Sequence, residues 1–346
     1  MREVEERTHI LNRLAGCFVD HRDPELIEHS VGSLVKQRVY GIALGYEDLN
    51  DHDTLRYDAL LGLLADKEDP SGAGRRRTED RGKALAGKST LNRLELTPKE
   101  AGKEDRYKKT VAQTDTLLVE VFVESHAVPP KEIVIDVDAT DDPLHGDQEG
   151  RFFHGYYGHY CYLPLYFFCG DRLLCARLRE ADEEPATGCV EELSRIVAQA
   201  RAAWPEVRIV LRGDSGFCRE AIMCWCESHR VEYVLGLAKT SRLTEIIAGE
   251  LAKARGAYEA SGEAARWFKD FRYRLARVGP VSGAWWARPN IWPRGRIPVS
   301  SSPRSLRRTG RREPCTKICI VPVGRWKTGS RNSNSSSSPI ARAPTR

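Results

Sequence analysis

Two aspartates at the ends of strand-like segments are the residues of this chain best suited to chemistry. Asp138 lies in "IVIDVDAT" and Asp214 follows "VRIVLRG", and both segments are rich in the β-branched residues that favour buried strands. If the strands pair in parallel, both carboxylates lie at one sheet edge, where they can share divalent metals that activate a water or hydroxyl against a phosphodiester. Carboxylate oxygens suit Mg²⁺ or Mn²⁺. A strand-end Asp can also merely cap the following loop, so the pattern indicates chemistry only when both residues are considered together.

A second motif, "GKALAGKS" from Gly82 to Ser89, satisfies the phosphate-loop pattern G-x4-G-K-S. A phosphate loop must follow a buried strand so that its amides converge at the start of a helix. The preceding residues, "GAGRRRTEDR", cannot form such a strand. The motif therefore does not predict nucleotide binding.

A third motif resembles the D-x-D-x-T signature of haloacid-dehalogenase-type phosphatases, with Asp136 as the nucleophile and Asp138 as the acid. That fold needs crossover helices after the motif strand, whereas this chain continues with a hairpin pattern. It also needs a second carboxylate soon after its later acidic motif, and "GDSGFC" supplies none. This alternative is weaker, but it leaves open whether Asp136 or Asp138 is the first functional acid.

The hydrophobic pattern divides the chain into a helical part and an α/β part. Apolar residues recur at helical spacing between residues 5 and 66, which predicts an all-helical region over 1–105. Within it, "EDPSGAGRRRTEDRGKALAGK" (68–88) has no period and mixes Pro, Gly and charge, so it is predicted to be a mobile loop whose arginines could contact DNA phosphates. A helix over about 108–125 precedes strands and helices in the order strand, strand, strand, helix, strand, helix, strand, helix. Two of the predicted strands, "HYCYLPLYFFCG" and "DRLLCARLRE", meet in a hairpin turn at Gly170 and Asp171, and the last predicted helix is "LTEIIAGELAKA". The predicted fold class is α/β.

The charge is unevenly distributed. Residues 275–346 contain 15 Lys or Arg and one acid, a net charge of +14, whereas residues 1–274 contain 39 bases and 48 acids, a net charge of −9. The basic character of the whole chain therefore says nothing about residues 1–274, where any contact with DNA must use local patches. The tail lacks a hydrophobic period, and its composition predicts disorder.

Neither a membrane span nor a disulfide framework is expected. The sequence contains no run of 18 or more apolar residues, and "MREVEERTHILNRL" reads as a charged amphipathic helix rather than a signal peptide. The ten Cys are scattered without a CxxC pair, which favours reduced, buried thiols. These observations predict a soluble cytoplasmic protein.

Several segments together resemble one family. "DVDATDDPLHGDQEG", "HGYYGHYCYLPL", "LRGDSGF" and "GYEDLNDHDTLRYD" are similar to segments of bacterial insertion-sequence DDE transposases, and the resemblance covers residues 1 to about 274. It implies a ribonuclease H-like catalytic domain over 106–274, metal-binding acids at Asp138 and Asp214, element-end and target DNA as partners, and self-association on DNA. Family members extend further upstream of "REVEERT", which predicts an N-terminal truncation.

The resemblance also implies a third acid, a Glu on a late helix in the pattern Tyr-x2-Arg-x3-Glu, which this chain lacks. A reading frame shifted between Arg274 and Val278 would explain its absence. If each true codon combines the last base of one codon with the first two bases of the next, Trp326 and Lys327 can encode only Glu. Cys319 with Ile320 then allows Tyr or His, and Pro322 with Val323 allows Arg, at the required spacing. Residues 275–346 are therefore predicted to be a frameshifted tail.

The expected function is metal-dependent cleavage and transfer of DNA strands by a DDE mechanism, in a copy that is inactive because it lacks the third acid. The alternative from another class is a remnant that binds DNA without cutting it. The phosphatase reading with Asp136 is the weakest of the three.

Overall fold

The fold is described from a computed structural model. It describes residues 1–97, 102, 104–262, 265–267 and 269–271, together with the short strands beyond residue 284. The chain divides into two compact units, Met1–Ile209 and Val210–Arg346. Residues 98–101 and most of the predicted tail lie outside the described residues. The disorder of the tail therefore stays a prediction.

Helices dominate the first part of the first unit. Short 3-10 helices cover Pro24–Leu26, Leu49–Asp51 and Thr78–Asp80. The α-helices of this part are α1 (Arg2–Thr8), α2 (Ile10–Ala15), α3 (Val31–Ala43), α4 (His52–Leu55), α5 (Ala59–Leu64) and α6 (Lys88–Glu95). Ser30 caps α3 by accepting a hydrogen bond from the Ser33 amide. Leu34, Leu85 and Leu91 are fully buried in a common core, so the helical spacing found in the sequence corresponds to a packed face.

The prediction that residues 1–105 are all-helical is wrong in one respect. Strand β1 (Phe18–Asp20) pairs antiparallel with β2 (Tyr107–Lys109), and Asp20 lies opposite Tyr107. Each strand has three residues, too few for an alternating pattern to be recognised. Their pairing joins segments far apart in the chain, which local propensity cannot indicate.

The segment predicted to be a mobile loop, 68–88, makes specific contacts with the residues before α3. Arg75 donates hydrogen bonds to the Glu28 carboxylate and to the Lys83 carbonyl, and its Nη1 lies 2.7 Å from His29 Nε2. Lys67 Nζ lies 3.3 Å from His29 Nδ1 and donates to the Glu28 carbonyl. Arg75 is therefore engaged inside the fold. The mobility of the segment stays a prediction.

Because His29 is buried beside Lys67 and Arg75, the stability of the protein is expected to depend on pH. Burial, and then the charges of Lys67 and Arg75, lower the pKa of His29 from 6.5 to about 3. Below pH 6.5 His29 binds a proton in the unfolded chain but stays neutral in the folded chain. The free energy of unfolding therefore falls as the pH decreases, by up to about 1.4 kcal/mol per pH unit. Urea unfolding near neutral pH and in mild acid should show a weaker pH dependence for His29→Gln than for wild type. An unchanged dependence would contradict the prediction. His145→Gln, at an exposed histidine, is the control and should behave as wild type.

The second part of the first unit is an antiparallel sheet covered by two helices. Strand β3 (Glu132–Ala139) pairs with β7 (Leu165–Cys169), which pairs with β8 (Arg172–Arg177) through the predicted turn at Gly170. Helix α7 (Val111–Glu124) packs on β8 and on α8 (Cys189–Ala203). Arg177 of β8 joins these elements by hydrogen bonds to Asp115 of α7 and Glu192 of α8.

A small second sheet interrupts the predicted run of strands. Strand β6 (His159–Tyr162) pairs with β4 (Asp142–Pro143) on one side and with β5 (Phe152–His154) on the other. The predicted strand "HYCYLPLYFFCG" is thus two strands, β6 and β7, separated by Leu163 and Pro164. A proline lacks the backbone donor that a central strand needs, which accounts for the break.

The boundary between the two units falls within β9 (Arg208–Gly213). Its first residue, Arg208, still belongs to the first unit, where its amide donates a hydrogen bond to the carbonyl of Lys131, just before β3. Strand β9 pairs in parallel with β10 (Glu232–Leu235). The helices are α9 (Glu220–Ser228), α10 (Ser241–Ile246) and α11 (Ala248–Ser261). Further short strands are β11 (Ala265–Arg266), β12 (Lys269–Phe271), β13 (Trp285–Ala287), β14 (Asn290–Ile291) and β15 (Ile318–Cys319). Antiparallel and parallel pairs combined with helices confirm a mixed α/β architecture.

Most of the described cysteines are buried. In the part of the chain that the structure describes, eight cysteines are free thiols and only Cys224 is exposed. Burial, as the largest cause, raises the pKa of Cys175 and of Cys189 to about 12, which keeps both protonated at neutral pH. None of the described helices combines the length and the apolarity that crossing a bilayer requires.

Candidate active site

Strand β3 places its two aspartates on one face. Ile133, Ile135 and Val137 are buried, with exposures of 3%, 0% and 3%, whereas Asp136 and Asp138 alternate with them and are half-buried. Side chains two residues apart on a strand project to the same side, about 6.6 Å apart along it. The two candidates for the first acid therefore share a face and differ in their distance from the strand end.

The neighbouring strand lines this face with aromatic rings. Asp138 lies opposite Tyr166 and Asp136 lies opposite Phe168 in the β3–β7 pair, and the two ring centroids are 5.9 Å apart. Burial, and then the charge of Asp142, raise the pKa of Tyr166. The Tyr166 hydroxyl therefore stays protonated beside the acids at neutral pH.

The connection after Asp138 carries two more acids that sequence reasoning did not single out. Asp141 Oδ2 lies 2.9 Å from His159 Nε2, and Asp142 lies opposite Tyr162 in the β4–β6 pair. The His159–Asp141 contact joins residues 18 positions apart through the small sheet. No local spacing rule predicts it, although both residues lie within quoted segments of the family resemblance.

Asp214 lies where β9 ends, as predicted. Its Oδ1 accepts a hydrogen bond of 2.7 Å from the Gly216 amide and thereby caps the 3-10 helix Ser215–Phe217. Phe217 is buried at 1% exposure and anchors this turn. The capping role considered from the sequence is thus present, and it also fixes the direction of the half-buried carboxylate.

The end of β10 presses against the Asp214 backbone. The Gly236 amide donates to the Gly213 carbonyl at 3.0 Å, and a Cβ at Gly236 would lie 2.8 Å from the Ser215 nitrogen and 3.0 Å from the Asp214 carbonyl carbon. These are rigid backbone atoms, so an added methyl group must displace them. Gly236 is therefore a positioning residue for Asp214 that the sequence did not reveal.

Gly236→Ala should lower the free energy of unfolding by about 1–3 kcal/mol, because the close contact forces the turn apart. Gly249→Ala is the matched control, since nothing lies within 4 Å of its added Cβ and alanine favours its helix by up to about 1 kcal/mol. Chemical unfolding of both variants measures the difference. Equal stabilities would exclude the proposed contact.

The donor chemistry fits a divalent metal, but the described residues do not form a complete site. Asp138 belongs to the first unit and Asp214 to the second. Two carboxylates supply the oxygen donors that Mg²⁺ or Mn²⁺ prefers. Within the described ranges, no group of three or more His, Cys, Asp or Glu is arranged to hold a metal ion.

The other two motifs find little support in their surroundings. A 3-10 helix at Thr78–Asp80, not a strand, precedes the G-x4-G-K-S segment, and its Lys88 ammonium contacts Asn50 and Asp53. After β3 the chain continues into the small sheet and the β7–β8 hairpin, where the haloacid-dehalogenase-type fold requires crossover helices.

Fold and site together define a mixed α/β protein with an aspartate in one strand and a second aspartate directly after another. The family described as "Transposase DDE domain group 1" matches residues 1–296. The chain therefore belongs to the DDE transposase family, as the resemblance predicted. No match was found among the curated proteins.

Proposed function

We propose that this protein derives from an insertion-sequence transposase that cleaves and joins DNA strands by a metal-dependent DDE mechanism. The observation that carries the proposal is the family match over residues 1–296. Support comes from the half-buried carboxylates of Asp138, in β3, and Asp214, directly after β9, which could serve as the first two acids. The proposed fold of residues 106–274 is ribonuclease H-like, supported by the succession of β3, β7, β8, α8, β9, α9 and β10.

Asp138 and Asp214 would hold Mg²⁺ or Mn²⁺ through carboxylate oxygens. When bound, such ions activate the attacking oxygen and stabilise the leaving oxygen of a phosphodiester. Gly216 orients Asp214 through the capping hydrogen bond, and the Gly236 contact holds the backbone of that turn. The buried alternate residues of β3 hold Asp138 in the same way, by fixing the strand. These chain groups confine the carboxylates before any substrate arrives, which lowers the cost of ordering them.

The helical region 1–105 would bind the element ends through phosphate contacts. Residues 75–88 contain six Lys or Arg and two acids, a local excess of positive charge in a net negative part of the chain. Arg76 and Arg77 are exposed, although the Arg76 guanidinium donates a hydrogen bond to the Glu25 carbonyl, whereas Arg75 is half-buried and pairs with Glu28. We therefore assign phosphate contacts to Arg76 and Arg77 rather than to Arg75. The other proposed partners are target DNA and further copies of the same chain, which would assemble on DNA. The proposed location is the cytoplasm.

This copy would be inactive, since its sequence lacks the third acid. The competing function is a remnant that occupies element ends without cutting them. Two assays on DNA cloned from both sides of its own gene separate these functions: binding in EDTA and nicking in Mg²⁺. Binding without nicking supports the remnant, nicking supports an active enzyme, and the absence of both contradicts the DNA-related function altogether.

A further inference from the structure

The small sheet β5–β6 exposes a cluster of aromatic rings. Phe153, Tyr156 and Tyr160 are 59%, 74% and 47% exposed. Phe153 lies opposite Tyr160 across the strand pair, with ring centroids 5.6 Å apart, and Tyr156 lies at the tip of the turn between the strands. Large aromatic side chains gathered at a surface mark sites that another molecule covers.

The rings are held in place rather than loosely attached. The Arg151 guanidinium lies 4.7 Å from the centroid of the Tyr160 ring and donates to the Gly146 carbonyl at 2.6 Å. Tyr156 meets Tyr157 edge to face at 5.1 Å. At Gly158, which closes the turn, φ is +77°, a conformation that favours glycine. A fixed ring loses little conformational entropy when a planar group stacks on it.

Two short chain connections link the small sheet that carries the aromatic cluster to the neighbourhood of Asp138. Strand β4 begins at Asp142, four residues after Asp138 and at most about 14 Å away along an extended chain. Strand β7, which pairs with β3 at Asp138, begins three residues after β6 ends. A molecule bound at Asp138 can therefore extend over the aromatic rings.

The charge of this hairpin favours bases over phosphates as the group it binds. Residues 144–162 contain one arginine, Arg151, and two acids, Asp147 and Glu149, and Arg151 pairs with Asp147. Such a surface offers little electrostatic attraction to a phosphate backbone. Flat aromatic faces bind nucleobases by stacking, since every base presents a π-face.

We propose that Phe153 and Tyr156 form a stacking platform for unpaired bases of the DNA strand that lies next to Asp138. The proposal rests on the proposed DNA-related function and adds to it a contact with the bases, which phosphate binding by the helical region does not supply. Tyr160, in contact with Arg151, packs edge to face against Phe153 from the neighbouring strand.

The test compares the full-length chain and its variants in EDTA, so that binding is measured without cleavage. The probes are a fluorescein-labelled oligothymidylate and an abasic oligonucleotide of equal length and charge. Phe153→Ala and Tyr156→Ala should each weaken oligothymidylate binding by about fivefold or more, the scale of one lost base stack. Binding of the abasic probe should not change. Phe153→Trp and Tyr156→Phe should keep wild-type affinity, which guards against misfolded alanine variants.

Leu178→Ala is the control and should bind both probes as wild type does, since Leu178 is 64% exposed but lies outside both the helical region and the aromatic hairpin, just after β8. Equal affinity of the wild type for both probes would overturn the platform, even where duplex element ends still bind. A variant that loses affinity for both probes equally would also overturn it. So would alanine variants that bind normally but sediment as monomers where the wild type forms dimers, because a second copy would then be the occupant. Failure of the wild type to bind any DNA, duplex included, would instead remove the proposed function itself.

Discussion

Replacing Asp138 or Asp214 with asparagine in a frame-restored protein is expected to abolish Mg²⁺-dependent cleavage of element-end DNA. Asparagine keeps the shape of the side chain but removes the negative charge that holds a metal ion. The loss of one preorganised group that stabilises transition-state charge costs about 100-fold or more in rate, and a metal ligand belongs to this class of group. Nicking of a labelled duplex with Mg²⁺ measures the loss.

Asp136→Asn is the informative comparison for the first acid. It changes the same face of the same strand, two residues from Asp138, and should leave cleavage near the wild-type rate. Such a result would also exclude the phosphatase function, which needs Asp136 as the nucleophile. Asp171→Asn in the exposed β7–β8 turn controls for the loss of a surface charge. Wild-type rates in both Asp138→Asn and Asp214→Asn would refute the assignment of the metal site.

A second comparison separates the two roles of Asp214. The capping hydrogen bond uses a carboxylate oxygen and the Gly216 amide, and the asparagine side-chain oxygen can accept the same bond. Asp214→Asn should therefore keep wild-type stability in urea unfolding while losing cleavage. Loss of stability together with activity would indicate that Asp214 serves mainly as a cap.

The long elements around these acids could be predicted because their patterns are local. Strand β3 alternates buried and half-buried residues over eight positions, and helix α8 buries Leu193, Val197 and Ala200 at helical spacing. Each pattern follows from the strand or helix period alone. The strand-end position of Asp214 was predictable for the same reason, since β9 ends at the preceding Gly213.

The missed features depend on contacts between distant residues or on single backbone positions. The β1–β2 pair joins Phe18 to Lys109, and the His159–Asp141 contact crosses the small sheet. Neither strand pairing nor such a contact leaves a periodic signal in three or four residues. The predicted helix "LTEIIAGELAKA" is broken at Ile247, between α10 and α11, and the role of Gly236 follows only from the packing of β10 against the Asp214 turn.

The largest expected effect concerns the chain as written, which should be catalytically dead and poorly stable. Its sequence lacks the Tyr-x2-Arg-x3-Glu pattern, so two carboxylates are left to position the metals and the leaving oxygen. Even a small misplacement of a catalytic group costs about 100-fold in rate. Tail residues 275–346 carry a net charge of +14 and lack an apolar period, so these residues are not expected to form the late helix that the family resemblance implies.

The same defect should lower solubility. The face of β3 and β7 that carries Asp138 also carries Val134, Tyr166 and Phe168, all half-buried. A late helix on this face would remove those groups from water, and each buried methylene contributes roughly 0.8 kcal/mol. Without it, exposed apolar surface favours aggregation, and the cationic tail favours nonspecific, salt-dependent binding to nucleic acid.

Restoring the reading frame near codon 276 should therefore recover solubility and Mg²⁺-dependent cleavage together. The shifted frame turns Trp326 and Lys327 into the missing Glu, and it turns any of Ser335 to Ser338 that is encoded by TCN into Phe, Leu, Ile or Val, which can form the apolar face of a helix. One change thus supplies both the third carboxylate and the cover for the sheet. A frame-restored chain with that Glu replaced by Gln is the matched control: it should be soluble but inactive, which separates the loss of the acid from the loss of the helix. If the unrepaired chain cuts element ends as fast as the repaired one, the frameshift hypothesis is wrong, because its basic tail would then be compatible with a complete active site.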